Sequence, residues 1–258
     1  MPFCEREKLI MRTLGLVGML LATMGSANLA KAAPLVYTGL GVSFAKEADA
    51  DPTSPDNQDF ILPDIAITRG ETRGIYNAAQ EVVFVDNSSP AGTAWAFINN
   101  NPTATLSATN WAALNFADWQ TANGGGGGGP TNTVGQDAVL HLIDQNVYLD
   151  IHFTQWGAGP TAGGNFAYNR AEITPSADFD RDGKVDGRDF LTWQRNFGAT
   201  GALQSQGDAD FDGVVGADDL AVWQGAYGSP LLAVIAVPEP ATLYLTGLVL
   251  MSLASRRR

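Results

Sequence analysis

Two twelve-residue stretches, DFDRDGKVDGRD (Asp178 to Asp189) and DADFDGVVGADD (Asp208 to Asp219), carry the side chains best placed for chemistry in this sequence. Each has Asp at positions 1, 3 and 5, Gly at 6, Val at 8 and Asp at 12. Carboxylates at alternate positions converge on one point only if the backbone turns sharply after the fifth. Gly183 and Gly213 stand where that turn requires φ > 0. Asp178, Asp180 and Asp182, and again Asp208, Asp210 and Asp212, would then form rings of hard oxygens. Such rings suit Ca²⁺, which takes roughly six to eight oxygen ligands. Position 7 adds a backbone carbonyl, from Lys184 and Val214, while Val185 and Val215 point away into an apolar contact between paired loops. Acidic turns in an acidic protein are the competing reading. The recurrence of the pattern thirty residues later weighs against it, because each copy precedes a matching helical segment.

Those segments are FLTWQRNFG (Phe190 to Gly198) and LAVWQGAYG (Leu220 to Gly228). Apolar residues recur in them at helical spacing, Trp193 aligns with Trp223, and a Gly closes each. With these helices, the loops resemble EF-hand-type sites, and Ala177 to Gly228, about a fifth of the chain, resembles a type I dockerin. That module occurs in cellulosome enzymes and in secreted proteins of planctomycete-like bacteria. The resemblance implies two bound Ca²⁺ ions and a cohesin-like protein partner. It implies Asp178, Asp180, Asp182, Lys184 (carbonyl) and Asp189 as ligands of the first ion, with Asp186 acting through water. For the second it implies Asp208, Asp210, Asp212, Val214 (carbonyl) and Asp219; position 9 is Gly216, so water stands there alone. Loop positions 10 and 11 are Gly187 and Arg188, then Ala217 and Asp218, and not the hydroxyl pairs of the best-known cellulosomal members.

The remaining sequence must carry this module. A net charge of −12 and a pI of about 4.4 argue against nucleic acid, whose phosphates need a basic surface. The one cysteine, Cys4, lies in a segment expected to be removed, so neither disulfides nor a thiol nucleophile are expected. Residues 1–32 read as a signal peptide: a charged start, an apolar run from Thr13 to Gly25, and small residues ending at Ala32. A transmembrane anchor is the other reading of that run, which is short for a span.

Residues 34–174 predict a mainly β domain, a sandwich or jelly roll. Candidate strands are Leu35 to Phe44, Phe60 to Thr68, Glu81 to Asp86, Thr93 to Ile98, Ala138 to Ile143, Val147 to Phe153 and Phe166 to Arg170. A short helix is expected within Asn110 to Gln120, and the Gly124–Gly129 run is a surface loop or hinge. In the hairpin AVLHLIDQNVYLDIHF, Val147, Leu149, Ile151 and Phe153 alternate onto one face. Residues 177–229 form the dockerin-like module.

Residues 237–258 have three parts: Val237-Pro238-Glu239-Pro240, an apolar stretch from Ala241 to Ala254, and Ser255 followed by three arginines. They resemble a PEP-CTERM sorting signal, which implies export and handling by an exosortase-like protease. Fourteen apolar residues make a helix of roughly 21 Å, short of the ~30 Å hydrocarbon core, so the tail reads as a transient membrane stop. A permanent tail anchor is the alternative.

Other chemistry is sparse. Both histidines fall on the hairpin. A two-residue turn would set His141 opposite Asp150, with His152 diagonal, as a metal-binding group; a three-residue turn would set His141 opposite Leu149. Asp49, Asp51, Asp56, Asp59 and Asp64 form an acidic region, either solvated or holding another Ca²⁺. Trp95, Trp111, Trp119 and Trp156 are either core or, if exposed, platforms for sugar rings. No nucleophile elbow, phosphate loop or zinc helix is present. The sequence therefore predicts an exported, non-catalytic protein at the cell surface or in the extracellular matrix. A polysaccharide-binding or polysaccharide-degrading β domain is the alternative.

Overall fold

The computed structural model describes residues 33–97, 111–124 and 130–228. The signal-like start, most of the glycine run and the sorting-like tail lie outside the described residues. Among the described residues, no helix is long and apolar enough to cross a membrane.

The described residues are mainly β, in two sheets with antiparallel pairing except at one strand. The larger sheet runs β2 (Val42–Lys46), β9 (Phe166–Arg170), β8 (Val147–Trp156), β7 (Asp137–Leu142) and β6 (Thr93–Phe97). Against the start of β8 lies the parallel β1 (Leu35–Tyr37). The smaller sheet is β3 (Asp59–Leu62), β4 (Ile65–Arg69) and β5 (Ile75–Asn77). Among the described residues there are three short α-helices: α1 (Trp119–Ala122), between β6 and β7, then α2 (Gly187–Asn196) and α3 (Ala217–Ala226) after the strands.

The two sheets share one core. Val147, Leu149, Ile151 and Phe153 are all fully buried, as their alternation predicts, and lie in one cluster with Ile61, Leu62, Ile65, Ile67 and Ile75 of the smaller sheet. A polar clasp also joins the sheets. The Asp59 carboxylate accepts from Arg170 Nε at 2.7 Å, Arg170 Nη2 at 2.8 Å and Tyr168 Oη at 2.7 Å. All three residues are buried, and this pairing is what makes the charges tolerable there.

Several sequence expectations change. Leu35 to Phe44 and Phe60 to Thr68 each resolve into two strands. Glu81 to Asp86 is not a strand: Val82, Val83 and Val85 are exposed. The Glu81 carboxylate there accepts from the backbone amides of Asn77 and Ala91, which ties the segment into a loop. The three-residue β5 has too little sequence to carry a period. Within the expected Asn110 to Gln120 helix, the described part forms a single turn at Trp111–Ala113, then α1.

The β7–β8 turn has four residues, Ile143 to Asn146, which pairs Leu142 with Val147 and His141 with Tyr148. The His-Asp-His group therefore does not form. His141 stacks on Tyr148, with ring centroids 4.2 Å apart, and His152 instead meets Asp137, Nδ1 to Oδ1 2.7 Å. Nor do the aspartates at 49–64 assemble. Asp59 is taken by Arg170, and Asp51 accepts from the Thr53 amide and hydroxyl. Trp95, Trp111 and Trp119 are core residues at 0–1% exposure. Trp156 is 9% exposed, with the Arg69 guanidinium 3.9 Å from its ring and Trp119 stacked on it, so it offers sugar no free face.

Candidate metal centre

Each loop folds as its glycine requires: Gly183 has φ +87° and Gly213 φ +83°. A Cβ at either would meet nothing within 4 Å, so conformation and not space selects glycine. After the turn, Asp178, Asp180 and Asp182 each bring a carboxylate oxygen within 4.8 Å of the others, and Asp208, Asp210 and Asp212 do the same. Backbone amides arrange these carboxylates. In the first loop the Asp182 amide donates to Asp178 Oδ1 and the Gly183 amide to Asp178 Oδ2. In the second, the Gly213 amide donates to Asp208 Oδ2.

The position-12 aspartates hold the frame of each loop. Asp189 Oδ1 accepts from the Phe179 and Asp180 amides and its Oδ2 from Asp186; Asp219 Oδ1 accepts from Ala209 and Asp210 and its Oδ2 from Gly216. Both are about 1% exposed. Three amides on a carboxylate with about four acceptor sites leave capacity for one further partner. Asp186 caps α2, its Oδ1 accepting from the Arg188 amide. Lys184 and Val214 donate their own amides to Asp182 and Asp212 Oδ1.

The loops are locked to each other by a reciprocal exchange that sequence reasoning missed. Trp193 of α2 donates its indole N–H to the Gly216 carbonyl, 2.7 Å away, and Trp223 of α3 donates to the Asp186 carbonyl at 3.0 Å. Each tryptophan thus reads position 9 of the opposite loop. The alignment of Trp193 with Trp223 was the available signal. Beneath them, Ala177, Phe179 and Ala209 form an apolar cluster, with Val185, Val222 and both tryptophans packed on it.

The donor set fits a hard divalent cation. Asp208 is fully buried, and its Oδ1 has no hydrogen-bond partner although it belongs to the acidic triad. Burial, followed by the neighbouring carboxylates of Asp219, Asp210 and Asp212, pushes its carboxyl up to about 7; the Gly213 amide opposes this. Burial likewise raises Asp178, helped by Asp189 and Asp180. A cation would satisfy the orphaned oxygen and cancel the mutual repulsion.

Compared with known proteins, the chain matches no family model, no curated protein and no solved structure.

Proposed function

We propose that this is an exported, non-catalytic protein that binds two Ca²⁺ ions through a dockerin-like module carried on a β-sandwich. Asp178, Asp180, Asp182, the Lys184 carbonyl and Asp189 hold the first ion, with Asp186 reaching it through water. Asp208, Asp210, Asp212, the Val214 carbonyl and Asp219 hold the second. Calcium supplies positive charge that ties ligands from both ends of each loop, and part of its binding free energy becomes folding free energy. The PEP-CTERM-like tail addresses the protein to the cell surface through an exosortase-like protease. The helical faces of the module meet a cohesin-like partner.

The observation that carries this reading is the buried, unpartnered Asp208 Oδ1 inside a converged acidic triad, in a loop whose twin repeats the same geometry. A buried carboxylate oxygen without a partner is costly unless an ion completes it. The test is thermal unfolding of the full chain in calcium and in EGTA. At calcium about 100-fold above the dissociation constant, the stabilisation is about 2.7 kcal/mol per site, or about 5–10 °C for a unit this size. An unchanged Tm at millimolar calcium would overturn the assignment.

A further inference from the structure

The calcium loops and the strands fall within one compact unit that begins at Pro34. Position 4 of each loop makes the connection. Arg181 (φ +57°) and Phe211 (φ +63°) both hold the left-handed conformation, which residues with a Cβ adopt at a cost. Phe211 is 4% exposed and belongs to the core cluster of the two sheets, beside Ile61 and Leu62. Arg181 Nη2 donates to the Gln145 carbonyl in the β7–β8 turn at 2.9 Å, and its Nε to Gln204 Oε1 at 3.0 Å. The fully buried Gln204 completes the link: its amide donates to Gln145 Oε1 at 2.9 Å, and its Nε2 to the carbonyl of Asp178 at 2.8 Å. Gln145 is therefore connected through one side chain to position 1 of the first loop.

We propose that the paired loops have a partner within this chain: the position-4 side chains form a calcium-dependent clasp on the strands, Phe211 in the shared core and Arg181 on the β7–β8 turn. The inference rests on the calcium reading above. Position 4 lies between two carboxylates of its ring, Asp180 and Asp182 around Arg181, Asp210 and Asp212 around Phe211. An ion that ties positions 3 and 5 fixes the backbone between them in the left-handed turn that aims position 4 at the strands. Without the ion, repulsion within the ring opposes that turn. By linkage, seating Phe211 in the core tightens calcium at the second loop by the same factor by which calcium secures the seat.

The test is hydrogen exchange of the full chain in calcium chloride and in EGTA, read in peptides covering 61–67 and 143–147 as well as the loops. Calcium should slow exchange in both strand-side peptides by about tenfold or more. Arg181→Ala should abolish that protection at 143–147 and keep it at 61–67; Phe211→Ala should do the reverse. Should Phe211→Ala fail to fold, the wild-type and Arg181→Ala comparisons still decide. Protection confined to 178–189 and 208–219 overturns the clasp and leaves calcium binding standing. Protection nowhere overturns both.

Discussion

Replacing Asp59 with Ala tests how the two sheets are joined. The substitution strands the Arg170 guanidinium, which is 6% exposed and keeps only one acceptor among its observed bonds, the Ala171 carbonyl. It also leaves the Tyr168 hydroxyl, in a residue 1% exposed, without the carboxylate it donates to. Removing one partner of a buried ion pair costs about 3–5 kcal/mol, mostly because the other charge stays buried. At about 2–4 °C per kcal/mol for a unit of this size, Tm should fall by about 10 °C. Circular dichroism melts in constant calcium read this directly. The paired control is Asp59→Val with Tyr168→Phe and Arg170→Met, which removes every polar member and should regain most of the lost stability. A single variant costing under about 1 kcal/mol, or a triple variant as unstable as the single one, would show that the buried charge of Arg170 does not depend on Asp59.

Trp193→Phe and Trp223→Phe each delete one indole donor to the opposite loop and should cost about 1–2 kcal/mol apiece in calcium-loaded melts, nearly equally because the two bonds mirror each other. If neither variant shifts Tm, the reciprocal lock is not a source of stability. Tyr37, whose hydroxyl donates to the Thr174 carbonyl, is pushed up to about 12 by burial, against the lowering effect of Arg181. The unfolded phenol ionises from about 10. Its contribution to stability is thus intact below that pH and lost as pH rises through about 12. Tyr37→Phe should flatten the alkaline limb of a stability-against-pH curve in part, leaving the share due to Tyr76, Tyr148 and Tyr168, which burial also raises. An unchanged limb would assign the alkaline loss elsewhere.

The acidic loops were legible because their chemistry is local: alternate aspartates and a glycine within twelve residues dictate the converged triads and the positive φ that the structure shows. The strands β6 to β9 were legible from short runs rich in β-branched and aromatic residues between turn-forming ones, and in β8 and β9 also from apolar residues alternating with period two. Register was not. It depends on the length of the β7–β8 turn, and the left-handed residue there is Asn146 rather than a glycine, so the sequence carried little sign of it. The valines at 82, 83 and 85 read as a strand by composition but have no strand to pair with. Asp59 with Arg170, and Phe211 with Ile61, lie more than a hundred residues apart, and such contacts leave no trace in local spacing. For that reason nothing in the loop sequences marks Arg181 and Phe211 as the residues that reach the strands.

Calcium binding by both loops can be counted by titrating the calcium-stripped full chain with Ca²⁺ in a calorimeter, alongside Asp208→Ala. Two ions per wild-type chain, and one in the variant, are the predicted counts. No binding heat in the wild type, or an unchanged count in Asp208→Ala, would contradict it.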